Sequence, residues 1–84
     1  MSGGDGGRVT LRIPQAAVTM TEGTIVEWLV GDGEGVAEGQ VIYRLETEKV
    51  EMDIESPASG VLRPTGAVGE TYPVGHEVGV IEID

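Results

Sequence analysis

No cysteine and no phenylalanine occur in this chain, and its 84 residues hold one histidine, one tryptophan and five cations. Without cysteine there is no disulfide staple, and with His76 alone the usual Cys/His zinc sets are out of reach. A domain this small has a modest core, so its fold has to rest on hydrophobic patterning and turn chemistry. The missing thiols also fit a reducing compartment. Fifteen acidic residues leave a net charge of −10, which opposes nucleic-acid backbones and anionic membrane surfaces. The same charge favours solubility and attraction to basic partner surfaces. No apolar run approaches the roughly 18 residues of a membrane span. The opening MSGGDGG has no basic or apolar region of a secretory signal and is not an Arg-rich transit peptide. Residues 1–7 read as a disordered tail, and residues 8–84 as one domain.

Glycine is what the chain has in abundance: 14 residues, spread throughout. The segments between them are short, and none holds a helical period free of Gly or Pro for 10 to 12 residues. Several hold a period of two. Val9, Leu11 and Ile13 alternate with polar residues up to Pro14. Residues 24–30 place Val26, Trp28 and Val30 on one face and Ile25, Glu27 and Leu29 on the other, a strand with cover on both sides. GDGEG at 31–35 is a turn; it lacks the spacing, the lysine and the following helix of a phosphate loop. Val41, Tyr43 and Leu45 form a third alternating set, and Val50, Met52 and Ile54 a fourth, set against Glu51, Asp53 and Glu55. Further strands follow Gly60 and cover 78–83. Many short strands with turns between them predict an all-β sandwich or barrel, with Trp28, the largest apolar side chain, as its core anchor.

The two halves echo each other. Gly33-Glu34 recurs as Gly69-Glu70 (69 − 33 = 36), and at the same step Gly39 meets Gly75, Ile42 meets Val78, Leu45 meets Ile81 and Glu46 meets Glu82. One residue out of step, Gly23 meets Gly60. Matches in this order predict two similar halves related by a pseudo-two-fold, packed face to face around a shared core.

Lys49 is the only lysine; the other cations are Arg8, Arg12, Arg44 and Arg63. It falls between the third and fourth alternating segments, in Glu46, Thr47, Glu48, Lys49, Val50, where four consecutive polar residues suit an exposed type I turn. An arbitrary lysine among glutamates is a solvated surface residue. A sole lysine at the tip of the best-patterned hairpin is a candidate for display. His76, in a VGHEVG turn without a neighbouring nucleophile or orienting acid, reads as a surface histidine rather than a general base. Met20 and Met52 read as core or rim packing.

Residues 46–60 read ETEKVEMDIESPASG. This stretch resembles the lipoyl-attachment motif of the 2-oxoacid dehydrogenase acyltransferases, where a lysine in an E-T-D-K-[AV] turn precedes a strand, an S-P dipeptide and a glycine. Here those positions are Lys49, Ser56-Pro57 and Gly60. MTEGTIVEWLV at 20–30 is similar to the family's M-x-E-G-x-I-x-x-W segment. GEGVAEGQVIYRLET and the closing residues 69–83 follow its later glycine patterns. The resemblance covers residues 9–84. One departure is Glu48, where the family usually has Asp. Biotin carrier domains share the fold and hairpin but flank their lysine with methionines; here the neighbours are Glu48 and Val50.

The resemblance implies a flattened barrel-sandwich hybrid of two antiparallel sheets, with lipoic acid in amide linkage to Lys49. It implies that Glu48 and Val50, with Thr47 and Glu46, shape the turn a lipoate-attaching enzyme reads. The domain itself would be non-catalytic and part of a longer dihydrolipoamide acyltransferase. Its arm would visit a thiamin-diphosphate 2-oxoacid decarboxylase, the acyltransferase core and a dihydrolipoyl dehydrogenase, with the isolated domain a monomer. The setting would be the bacterial cytoplasm, or the mitochondrial matrix in a eukaryote. An acidic rim of Glu46, Glu48, Glu51 and Asp53, with Thr47 among them, is expected around the arm. A biotinyl carrier domain of a carboxylase and an unmodified structural module remain as alternatives. An independent hydrolase has no recognisable catalytic constellation behind it.

Overall fold

The computed structural model describes residues 7–15 and 18–83. Eight strands follow one another: β1 (Gly7–Arg12), β2 (Glu22–Trp28), β3 (Gly35–Val36), β4 (Val41–Glu46), β5 (Glu51–Glu55), β6 (Gly60–Pro64), β7 (Thr71–Pro73) and β8 (Glu77–Ile83). No helix occurs among the described residues. The strands form two antiparallel four-stranded sheets, ordered β1-β8-β6-β3 and β5-β4-β2-β7, the flattened barrel-sandwich expected. Gly7, placed in the tail by composition, already pairs with Ile83; the rest of that tail, and Asp84, lie outside the described residues.

The pseudo-two-fold is written into the backbone. Exchanging β1 with β5, β2 with β6, β3 with β7 and β4 with β8 turns one sheet order into the other. The described glycines with φ near +90° are Gly33, Gly39, Gly69 and Gly75, two of the echoed pairs. A left-handed φ costs any residue with a Cβ about 1–2 kcal/mol, so these turns retain glycine in both halves. Hydrogen bonds repeat as well. Gly33 N–H donates to Leu62 C=O at 2.8 Å, and Gly69 N–H to Ile25 C=O at 2.7 Å. Leu62 N–H donates to Glu34 C=O at 2.9 Å, and Ile25 N–H to Glu70 C=O at 3.1 Å.

The core repeats in the same way. Ile25 and Leu62, Ile42 and Val78, and Leu45 and Ile81 are all fully buried. Each is worth roughly 1.5–3 kcal/mol of hydrophobic burial. The alternation predicted for 24–30 is corrected by a register shift between Ile25 and Glu27. An extra residue there turns Ile25 inward, leaves Val26 half-buried and exposes Glu27 and Leu29, so the strand is not covered on both sides. Trp28 is likewise not the central anchor. It is half-buried at the core's margin, donates its indole N–H to Gly66 C=O at 2.9 Å and packs on Tyr43 with ring centroids 4.8 Å apart. The fully buried aromatic is Tyr43. An indole needs a partner for its N–H, and a carbonyl at the margin supplies one.

Candidate functional site

After a register shift between Val41 and Tyr43, β4 and β5 stay paired from Tyr43–Ile54 to Glu46–Glu51. Beyond it Thr47 N–H donates to Val50 C=O at 2.8 Å. The Thr47 hydroxyl closes the turn a second time, donating to Val50 C=O at 3.1 Å and accepting from Val50 N–H at 3.2 Å. Only Glu48 and Lys49 remain as the loop, both exposed. The sequence placed Thr47 in this turn; its side-chain clamp is what the structure adds. Val50, expected to open the strand, lies outside β5 and is more than half exposed. Among the described residues Lys49 makes no hydrogen bond or ion pair. Its amine is available to a reagent in solution.

The turn borders a cleft of about 650 Å³. Residues 46–50 and Met52 line it from the hairpin, and residues 19–22 and Thr24 line it from the β1–β2 connection and β2. That connection is anchored: the Gln15 side-chain amide donates to Met20 C=O at 3.2 Å, and Val74 N–H donates to Thr21 C=O at 3.0 Å. Met20 is buried and Met52 half-buried, as core or rim packing requires, but both also reach the cleft. Glu22, Thr19, Thr21 and Thr24 were not singled out from sequence; no local pattern carries a contact made across a connection of that length.

The acidic surroundings differ in part from those expected. Glu46 and Glu48 line the cleft together with Glu22, whereas Glu51 and Asp53 do not. Asp53 instead pairs with Arg44 across the ladder at 3.4 Å. An exposed pair of this kind contributes at most about 1 kcal/mol, and it also dilutes the negative field. His76 is exposed and stacked on Tyr72 at 4.8 Å. GDGEG is a turn in which Gly31 N–H donates to the Glu34 carboxylate at 2.9 Å.

Two sheets exchanged by a pseudo-two-fold define a barrel-sandwich domain, and its one lysine stands exposed at the apex of a clamped two-residue turn. A family model described as biotin-requiring enzyme matches residues 9–81. The chain belongs to this biotin/lipoyl-attachment family. Its relatives include the dihydrolipoyllysine-residue succinyltransferase component of the 2-oxoglutarate dehydrogenase complex of Staphylococcus saprophyticus, 40% identical over 84% of this chain and 17% of that protein. The dihydrolipoyllysine-residue acetyltransferase component of the acetoin cleaving system of Pseudomonas putida is 38% identical over 86% of this chain and 20% of its own length. The chloroplastic acetyltransferase component 4 of the pyruvate dehydrogenase complex of Arabidopsis thaliana is 39% identical over 82% of this chain and 15% of its own. The chain thus spans a small part of these proteins' length.

Proposed function

We propose that this domain is a lipoyl carrier in which Lys49 Nζ bears lipoic acid in amide linkage. The observation that supports this most directly is the position of the sole lysine, unpaired at the apex of the Thr47-clamped turn, in a chain whose relatives are named for a dihydrolipoyllysine residue. The residues fit the group: the amine and both its neighbours, Glu48 and Val50, are exposed, and the adjoining cleft leaves room for a long arm. Bound there, the dithiolane supplies acyl-carrying and redox sulfur chemistry that a cysteine-free chain lacks. The protein's part is presentation. Flanking ladders and the Thr47 hydroxyl hold one turn shape for the attaching enzyme and for later partners, with Glu48 and Val50 as the side chains beside the reactive amine. Tethering raises the arm's effective concentration at each partner site.

On this reading the arm carries acyl groups and reducing equivalents among a thiamin-diphosphate decarboxylase, an acyltransferase core and a dihydrolipoyl dehydrogenase, in bacterial cytoplasm or mitochondrial matrix. The test is intact mass spectrometry after parallel incubation with a lipoate ligase plus lipoic acid and with a biotin ligase plus biotin. A lipoyl adduct on the parent, absent from Lys49→Arg with its fold retained, is expected. A biotinyl adduct alone moves the domain to the carboxylases, and no adduct from either leaves a structural module.

A further inference from the structure

We propose that the cleft beside Lys49 is a resting site for the dithiolane end of the arm, so that the arm alternates between a docked and an extended state. The inference rests on lipoylation of Lys49 and says where the group goes once attached. Lys49 is itself one of the residues lining the cleft, so anything on its Nζ is delivered to the opening without a separate binding encounter. A short flexible tether corresponds to an effective concentration in the millimolar range, and even a weak site fills under those conditions. The volume, about 650 Å³, falls within the roughly 300–1,000 Å³ of clefts that hold small molecules.

The lining matches the arm's chemistry. Amide formation removes the ammonium, leaving a neutral hydrocarbon chain ended by two sulfurs. The cleft offers it the thioether side chains of Met20 and Met52 and the exposed isopropyl of Val50; methionine is a polarizable, adaptable partner for such a group. Thr24 and Thr47 also line the cleft, with their hydroxyls already engaged by Thr71 at 2.7 Å and by the Val50 backbone. Glu22, Glu46 and Glu48 on the same lining disfavour any anionic occupant. Both walls are held before the arm arrives, one by Gln15 and Val74 and the other by Thr47, so docking needs little reordering.

The test uses the ligase-lipoylated domain with ¹³C-methyl-labelled methionine, its single adduct verified by mass. The reference is the same domain acetylated at Lys49, which loses the same charge but has no arm. Lipoylation is expected to shift the Met20 and Met52 methyl resonances and to give cross-relaxation between them and the dithiolane ring protons, while acetylation gives neither. Met52→Gln, on the edge strand β5, is expected to accept the arm yet lose the ring contact at Met20. An attached arm that leaves both methyls unmoved and without ring contacts overturns the resting site while the carrier reading stands. Failure of the ligase to modify Lys49 overturns the carrier reading itself, and the resting site with it.

Discussion

The two halves share a backbone frame, and three of the differences between them bear on the hairpin. In one half β4 runs into β5 through the turn at 47–50; in the other, the equivalent strands β8 and β1 end side by side without a connection, with Gly7 opposite Ile83. The connection from β1 to β2 spans 13–21, whereas its counterpart from β5 to β6 spans only 56–59, and the added length supplies the cleft's second wall. Finally, Glu46 faces Glu51 below the turn, whereas the equivalent Glu82 faces Arg8. Symmetry accounts for the stability of the frame; the departures from it account for display. Like charges directly opposite on a ladder are destabilising, so the hairpin keeps its acidity at some cost to the fold.

The largest effects are expected in the core. Leu45→Ala and Ile81→Ala remove equivalent, fully buried side chains, and each is expected to lose about 2–5 kcal/mol in urea denaturation, with similar values for the two. A large disparity would show that the halves do not share one core. The echoed glycines Gly23 and Gly60 have unequal surroundings. A Cβ at Gly60 would collide with the Glu82 backbone carbonyl, whereas one at Gly23 would meet the side chain of Leu45 at 2.8 Å. A side chain yields more readily than a ladder. Gly60→Ala is expected to cost about 3 kcal/mol, the upper part of the overpacking range, and Gly23→Ala about 1 kcal/mol, by the same measurement.

Tyr43 has no aromatic counterpart, since the equivalent position is Gly79. Its hydroxyl is buried and finds no hydrogen-bond partner among the described residues, and burial pushes its pKa up from 10.0 to about 12. Ionisation is therefore harder folded than unfolded. The stability linked to this group is whole below pH 10 and falls as pH rises toward 12. Tyr43→Phe is expected to raise stability by about 1 kcal/mol at neutral pH and to flatten that alkaline decline, read from unfolding curves between pH 8 and 12. The smallest effect concerns the hairpin's charges. Glu51→Arg, which gives Glu46 the kind of partner Glu82 already has, is expected to stabilise by about 0.5 kcal/mol while leaving lipoylation at Lys49 possible by mass. A loss of stability would mean that the like-charged pair is not a burden.

Much of this was legible in the chain because turns are local. Gly33, Gly39, Gly69 and Gly75 mark turns, and their repeated spacing carries the symmetry with them. Lys49 was legible for the same reason: a polar tip between two alternating strands needs no distant information. What escaped was what depends on packing. The register shift after Ile25 is not marked by any Gly or Pro at that point, so period-two reading put Val26 on the face that Ile25 occupies, and side-chain size alone put Trp28 at the centre that Tyr43 holds. The cleft escaped because its walls meet only after β2 pairs with β4.

The pairing of β1 with β8 also sets how the domain bears load. Six residue pairs run from Gly7–Ile83 to Arg12–Glu77, and the Gly7–Ile83 end of the ladder is made by the two ends of the described chain. Tension applied through Gly7 and Ile83 acts across the strands rather than along them, and the cross-strand bonds of an antiparallel pair lie parallel to such a pull. They give way one rung after another, like a zipper, in place of the collective shear that makes some β domains mechanically tough. Pulled from both sides, this domain would open first at the edge where the sheets lack a hairpin, while the Thr47 clamp and the lysine it presents would be spared until late.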